Sequence, residues 1–99
     1  MRTIKYTNAF KRDYKRGKSG KSGKSRQQAQ KLDRELTEVV ALLAADAALP
    51  RRYADHPLTG DWKDFRDCHV RPDLVLIYRK PDAANLELVR LGSHSELGL

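Results

Sequence analysis

The chain has 99 residues, 39% of them hydrophobic, and a formal charge of +7. That length allows a single domain, residues 1–99, with a modest core. The lone cysteine, Cys68, excludes an intramolecular disulfide, and no run is long and apolar enough to span a membrane as a helix.

The charge is unevenly spread. Residues 1–31 hold eleven Lys or Arg against one acid, Asp13, whereas residues 32–99 hold nine basic and twelve acidic residues. A basic block beside a near-neutral body predicts a polyanionic partner. The opening segment, MRTIKYTNAF, lacks the apolar centre of a signal peptide, so a cytoplasmic location is expected.

In chain order, residues 2–6 predict a short strand with Ile4 and Tyr6 on one face. Thr7 or Asn8 can cap the helix that follows, in which Phe10 and Tyr14 share a face. Gly17 is expected to end it. The segment GKSGKSGKSR then repeats Gly-Lys-Ser three times. It is not a phosphate-binding loop, because Lys15 and Lys18 stand where G-x-x-x-x-G-K-S/T requires glycine. A flexible basic linker is expected instead. Ala29, Leu32, Leu36, Val39, Val40 and Leu43 recur at spacings of three and four, which predicts an amphipathic helix over 25–45.

Residues 51–61, RRYADHPLTGD, predict a loop. Residues 62–70 alternate, with Phe65, Asp67 and His69 on one face and Arg66, Cys68 and Val70 on the other. Residues 74–79, LVLIYR, form a near-continuous apolar run and predict a central strand. Residues 86–91 predict the last strand, followed by a tail, HSELGL. Two short turns between these strands predict antiparallel hairpins. The expected architecture is α+β: a small, mainly antiparallel four-stranded sheet with two N-terminal helices packed on it, in the order β-α-α-β-β-β.

The run DHPLTGDWKDFRDCHVRPDLVLIYR, followed by LVRLGSH, resembles the YafQ branch of the RelE/ParE toxin superfamily. The elements D-H-P-L, R-D-x-H and P-D-x-x-L-I-Y carry the likeness in that order. The resemblance implies a toxin of a type II toxin–antitoxin module: a ribosome-dependent endoribonuclease that cleaves mRNA. It implies as partners a cognate antitoxin of ribbon-helix-helix DNA-binding type, the ribosome and mRNA, with operator DNA reached only through the antitoxin. It also implies the site: His56 from D-H-P-L, Asp67 and His69 from R-D-x-H, Asp73 after the proline, and Arg90 and His94 near the end. Where the family carries a phenylalanine beyond the last histidine, this chain has Leu97, Gly98 and Leu99. Two alternatives stay open: a ParE-like gyrase-inhibiting toxin, and a degenerate toxin that binds antitoxin or RNA without cutting.

The residues themselves fit that chemistry. RNA carries its own nucleophile, so cleavage needs a base, an acid and a cation, and no cofactor. Histidine serves both proton-transfer roles near neutral pH, and arginine forks onto phosphate oxygens. His94 is expected to be the general acid and His56 or His69 the base. Asp67 and Asp73 would orient an imidazole or bind the 2′-OH, while Arg90 would hold the phosphate. Lys11, Lys15, Lys18, Lys21 and Lys24 are expected to hold RNA phosphates without choosing sequence. Trp62 and Phe65 read as packing, and Cys68 as an inert core residue. The histidines are too far apart in sequence to make a short ligand pair, so no metal site is expected.

Overall fold

The computed structural model describes residues 1–19 and 26–99, with side chains for 1–17 and 30–99. The elements are β1 (Thr3–Tyr6), α1 (Asn8–Ser19), α2 (Arg26–Ala44), β2 (His56–Pro57), β3 (Arg66–Arg71), β4 (Leu74–Arg79), β5 (Asn85–Gly92) and a one-turn helix, α3 (His94–Leu97). They form a five-stranded mixed sheet in the order β1-β5-β4-β3-β2. The expected four-stranded, mainly antiparallel sheet is thus corrected to five strands, with β2 added and β1 paired in parallel. β1 crosses over through the helices and pairs in parallel with β5, Thr3 opposite Asn85. The two-residue β2, expected as loop, pairs antiparallel with β3.

The helices cover one face of the sheet. Phe10, Leu36, Val39, Val40 and Leu43 pack there against Cys68, Leu76, Tyr78, Leu86, Leu88 and Leu91. Thr7 caps α1: its hydroxyl oxygen accepts from Phe10 N–H at 3.0 Å while its O–H donates to the Val89 carbonyl at 2.8 Å. Gly17 does not end α1. It lies inside the helix, where a Cβ would make an ordinary contact, at 3.6 Å, with the Leu32 side chain of α2.

The other face carries a thinner layer. Val75, Ile77 and Leu97 are buried there, with Leu58, Trp62, Phe65 and Val89 packed around them. Residues 60–65 are not strand: Gly60, at φ +64°, opens a helical turn that folds Trp62 edge-on against Phe65, their centroids 5.3 Å apart. Two bulges set which side chains reach which face. In β3 the register steps from His69 to Arg71, and Arg71 ion-pairs with Glu35 of α2 at 2.6 Å. In β5, Ile77 faces Arg90 and Tyr78 faces Leu88, which leaves Val89 as the extra residue.

Leu76 is fully buried in the central strand under both helices. Leu76→Ala should lower unfolding stability by about 2–5 kcal/mol, read by chemical denaturation.

Candidate active site

The sheet register builds the site. Directly opposed residues share a face. His56 is opposite Asp67, Asp67 opposite Ile77, and Ile77 opposite Arg90, so one row crosses four strands on the face away from α1 and α2. The neighbouring row is His69, Val75 and Gly92. α3 starts two residues after Gly92 and turns back over this row. Its first residue, His94, brings its ring edge-on to His69, with centroids 5.0 Å apart. Four of the predicted residues (His56, Asp67, His69 and His94) thus meet on one face.

Asp67 is 2% exposed, and its Oδ1 lies 3.0 Å from Nδ1 of His56. That same Nδ1 lies 2.7 Å from the Ala54 carbonyl oxygen. A ring nitrogen facing two acceptors carries the proton, which leaves Nε2 as the basic atom of the neutral ring. The Nδ1–H aligns with the carbonyl. Asp67 Oδ1 therefore lies close to the His56 ring but has no aligned hydrogen-bond donor. Burial pushes the Asp67 carboxyl above its ordinary range, and the charges of His56, His69 and His94 oppose that shift.

The loop before β2 is fastened from below. Tyr78, whose ring lies in the helix-side core, donates to Asp55 at 2.5 Å, and Arg66 pairs with the same carboxylate at 3.2 Å. Ala54, with φ +47°, makes the left-handed step into His56.

The remaining predicted residues fall elsewhere. Asp73 is exposed in the β3–β4 turn, at the sheet end where β5 also finishes. Arg90 lies on the right face, but its guanidinium is engaged: Nε and Nη2 reach the buried Asp13 carboxylate at 2.6 and 3.2 Å. Burial alone would raise the Asp13 pKa, yet Arg90 and the Leu91 N–H hold it below the ordinary range. Lys11 and Lys15 are exposed on α1, whereas the side chains of Lys18, Lys21 and Lys24 lie outside the described residues. Cys68 is buried in the helix-side core, and burial pushes its thiol up to about 12, as expected of an inert cysteine. Among the described residues, no group of three or more His, Cys, Asp or Glu side chains is arranged to hold a metal ion. No described helix is long and apolar enough to cross a membrane.

Sequence reasoning missed Asp13 and Glu96. The first gave no signal beyond being the lone acid of the basic block. The second did, because Ser93-His94-Ser95-Glu96 reads S-x-x-E, the capping-box pattern. The box is formed: Glu96 Oε1 accepts from Ser93 N–H at 2.8 Å, and Ser93 Oγ accepts from Glu96 N–H at 3.1 Å.

Residues 2–98 match the family described as bacterial toxin of type II toxin–antitoxin system, YafQ. The chain belongs to this family. The mRNA interferase toxin YafQ of Escherichia coli K12 is 51% identical over 49 residues, 50% of this chain and 52% of that protein. The chain thus spans about half the length of the curated relatives it matches. Solved structures match more fully. A copper-bound mutant toxin from Helicobacter pylori superposes with a TM-score of 0.83 at 36% identity, covering 98% of this chain and 99% of that one. YafQ in the E. coli DinJ–YafQ complex does so with a TM-score of 0.77 at 34% identity, covering 98% of both chains. The YafQ structures share the α+β fold found here, a five-stranded mixed sheet with three helices.

The raised Asp67 pKa gives a pH signature. Below the ordinary carboxylate value of 3.8, Asp67 is neutral in both folded and unfolded chains. As pH rises through the raised folded pKa, burying the charged form costs the folded state stability. Asp67→Asn removes that loss. Its stability relative to the parent should therefore climb as pH rises from acid to neutral, measured by urea unfolding at several pH values. A difference independent of pH would contradict the account.

Proposed function

We propose that this YafQ-family chain is the toxin of a type II toxin–antitoxin module and cuts mRNA on the ribosome without a metal. The observation that carries the reading is the convergence of His56, Asp67, His69 and His94 on the open face. His56, with its proton on Nδ1 against Ala54 and Asp67, takes the 2′-OH proton at Nε2 as general base. The 2′-oxygen attacks phosphorus, and the bond to the 5′-oxygen breaks. His94 gives its proton to that leaving oxygen, with His69 packed against its ring. The products are a 2′,3′-cyclic phosphate and a 5′-hydroxyl. Asp67 acts as the orienting carboxylate. Asp73, at the exposed rim, is placed to meet the ribose or the neighbouring nucleotide. Arg90 faces the site, and it reaches a phosphate oxygen only with a guanidinium N–H not given to Asp13.

Several features support this reading. His56 is exposed and His69 and His94 are half-buried, so the face can be reached by a polymer. An open apolar groove lies on the opposite side, between β1, α1 and α2. Lys11, Arg12 and Lys15 on α1, continued by Lys18, Lys21 and Lys24, supply positive charge for ribosomal RNA. The natural restraint is a cognate antitoxin of ribbon-helix-helix type, through which operator DNA is reached. The solved DinJ–YafQ complexes supply the precedent. Ribosomes as the working site place the protein in the cytoplasm.

The direct test is cleavage mapping on a defined mRNA, with and without ribosomes. The parent should cut only with ribosomes, and His94→Ala should be slower by about 10²–10⁴-fold. A folded His94→Ala protein that cuts at the parent rate would remove His94 from the mechanism. A second test is ribosome binding against salt: Lys11→Gln with Lys15→Gln should weaken binding and flatten its salt dependence. Binding insensitive to salt in the parent would remove the phosphate-holding role of α1.

A further inference from the structure

α3 is four residues long, too short to hold helical shape by its own hydrogen bonds. Yet it carries His94 at its first position. Four restraints keep it in place. The first is the reciprocal pair between Ser93 and Glu96. Leu97 is sunk between Val75 and Ile77 and forms the second. Gly98, at φ +70°, closes the C-terminal end with its N–H bonded back to the His94 and Ser95 carbonyls. The fourth is close packing at Gly92, where a Cβ would stand 3.1 Å from Glu96 Oε1.

Glu96 is the member that several of these share. Its Oε1 holds the Ser93 N–H, its stem lies over Gly92, and its Oε2 stands 3.7 Å from Arg16 of α1. Arg16 in turn pairs at 3.0 Å with Asp13, the carboxylate that holds Arg90. The Arg16–Glu96 contact is half-exposed and contributes little by itself. The cap is the stronger element: hydrogen bonding from the Ser93 N–H holds the Glu96 carboxyl below its ordinary range. The Glu96 carboxylate is given to the Ser93 N–H and Arg16, and nothing in the proposed chemistry requires it to touch RNA.

We propose that Glu96 is a positioning residue for the reaction: by closing the Ser93 cap it fixes the first turn of α3 and so holds His94 against His69. The inference rests on the reading of His94 as the general acid. Its action is through the cap and not through charge, so glutamine should serve nearly as well as glutamate at this position.

The test compares Glu96→Ala, Glu96→Gln and His94→Ala with the parent. Single-turnover cleavage is measured on mRNA-programmed ribosomes across toxin concentration, and the imidazole signals of His69 and His94 are followed by proton NMR of the free toxin. Glu96→Ala should cut about tenfold more slowly at saturation, with the half-saturating concentration unchanged. Its His94 ring signals should lose the shift and the cross-peaks that contact with His69 confers. Glu96→Gln should restore both. Parent-like cleavage by Glu96→Ala, or a Glu96→Gln protein as slow as Glu96→Ala, would overturn the proposal. So would a defect confined to half-saturation. The ribonuclease reading fails separately: a parent that does not cut, or a His94→Ala protein that cuts normally, refutes it. The NMR comparison still decides whether Glu96 positions His94.

Discussion

A single buried carboxylate joins the two halves of this molecule. β1 ends at Tyr6, opposite Leu88, and among the described residues no strand lies beside the edge of β5 beyond that point. α1 takes over the edge. Thr7 satisfies the Val89 carbonyl, and Asp13 satisfies the Leu91 N–H at 3.0 Å. A buried peptide N–H left without an acceptor would cost about 1–3 kcal/mol, so the helix does for β5 what a neighbouring strand would have done. Asp13 is 4% exposed, and its charge is balanced by Arg90 and Arg16. The basic helix and the histidine-bearing sheet are thereby locked in one relative position.

Division of labour between the two sheet faces follows from packing. The helix-side face takes Cys68, Leu76, Tyr78, Leu86 and Leu88 and makes the core. The other face needs only enough apolar cover to seal Val75 and Ile77, which Leu97 and the Trp62–Phe65 turn supply. The remaining positions on that face are free for polar chemistry, and there the histidines sit. A buried acid among three imidazoles is an arrangement a pure core would not tolerate.

Much of this was legible in the sequence. The three consecutive strands after residue 65, the capped first helix and the period of α2 all follow from local pattern. Asp67 and His69 sharing a face follows from alternation alone. The parts that were not legible depend on distant pairing. Nothing in RTIKY says that it will run parallel to β5, or that His56–Pro57 will pair with Arg66 and Asp67. The β5 bulge, which decides that Val89 is extra and Arg90 faces outward, leaves no glycine or proline as a marker. Gly17 misled in the other direction: a helix-ending residue by habit, here it lies inside α1. Arg90 was expected to reach for phosphate, and its partner Asp13, 77 positions away, is visible only in three dimensions.

The pairing of β1 with β5 also bears on how the molecule comes to be. Thr3 and Asn85 are neighbours in the sheet but lie at opposite ends of the fold's chain order. Contacts of such long sequence separation close late and slowly, because loop entropy must be overcome before they contribute. The basic helix and the hairpin bearing His69 can each take shape early. His94 can meet His69 only after β5 has docked, and β5 is seated by β1 and Asp13. The histidine face is therefore complete only when the sheet is.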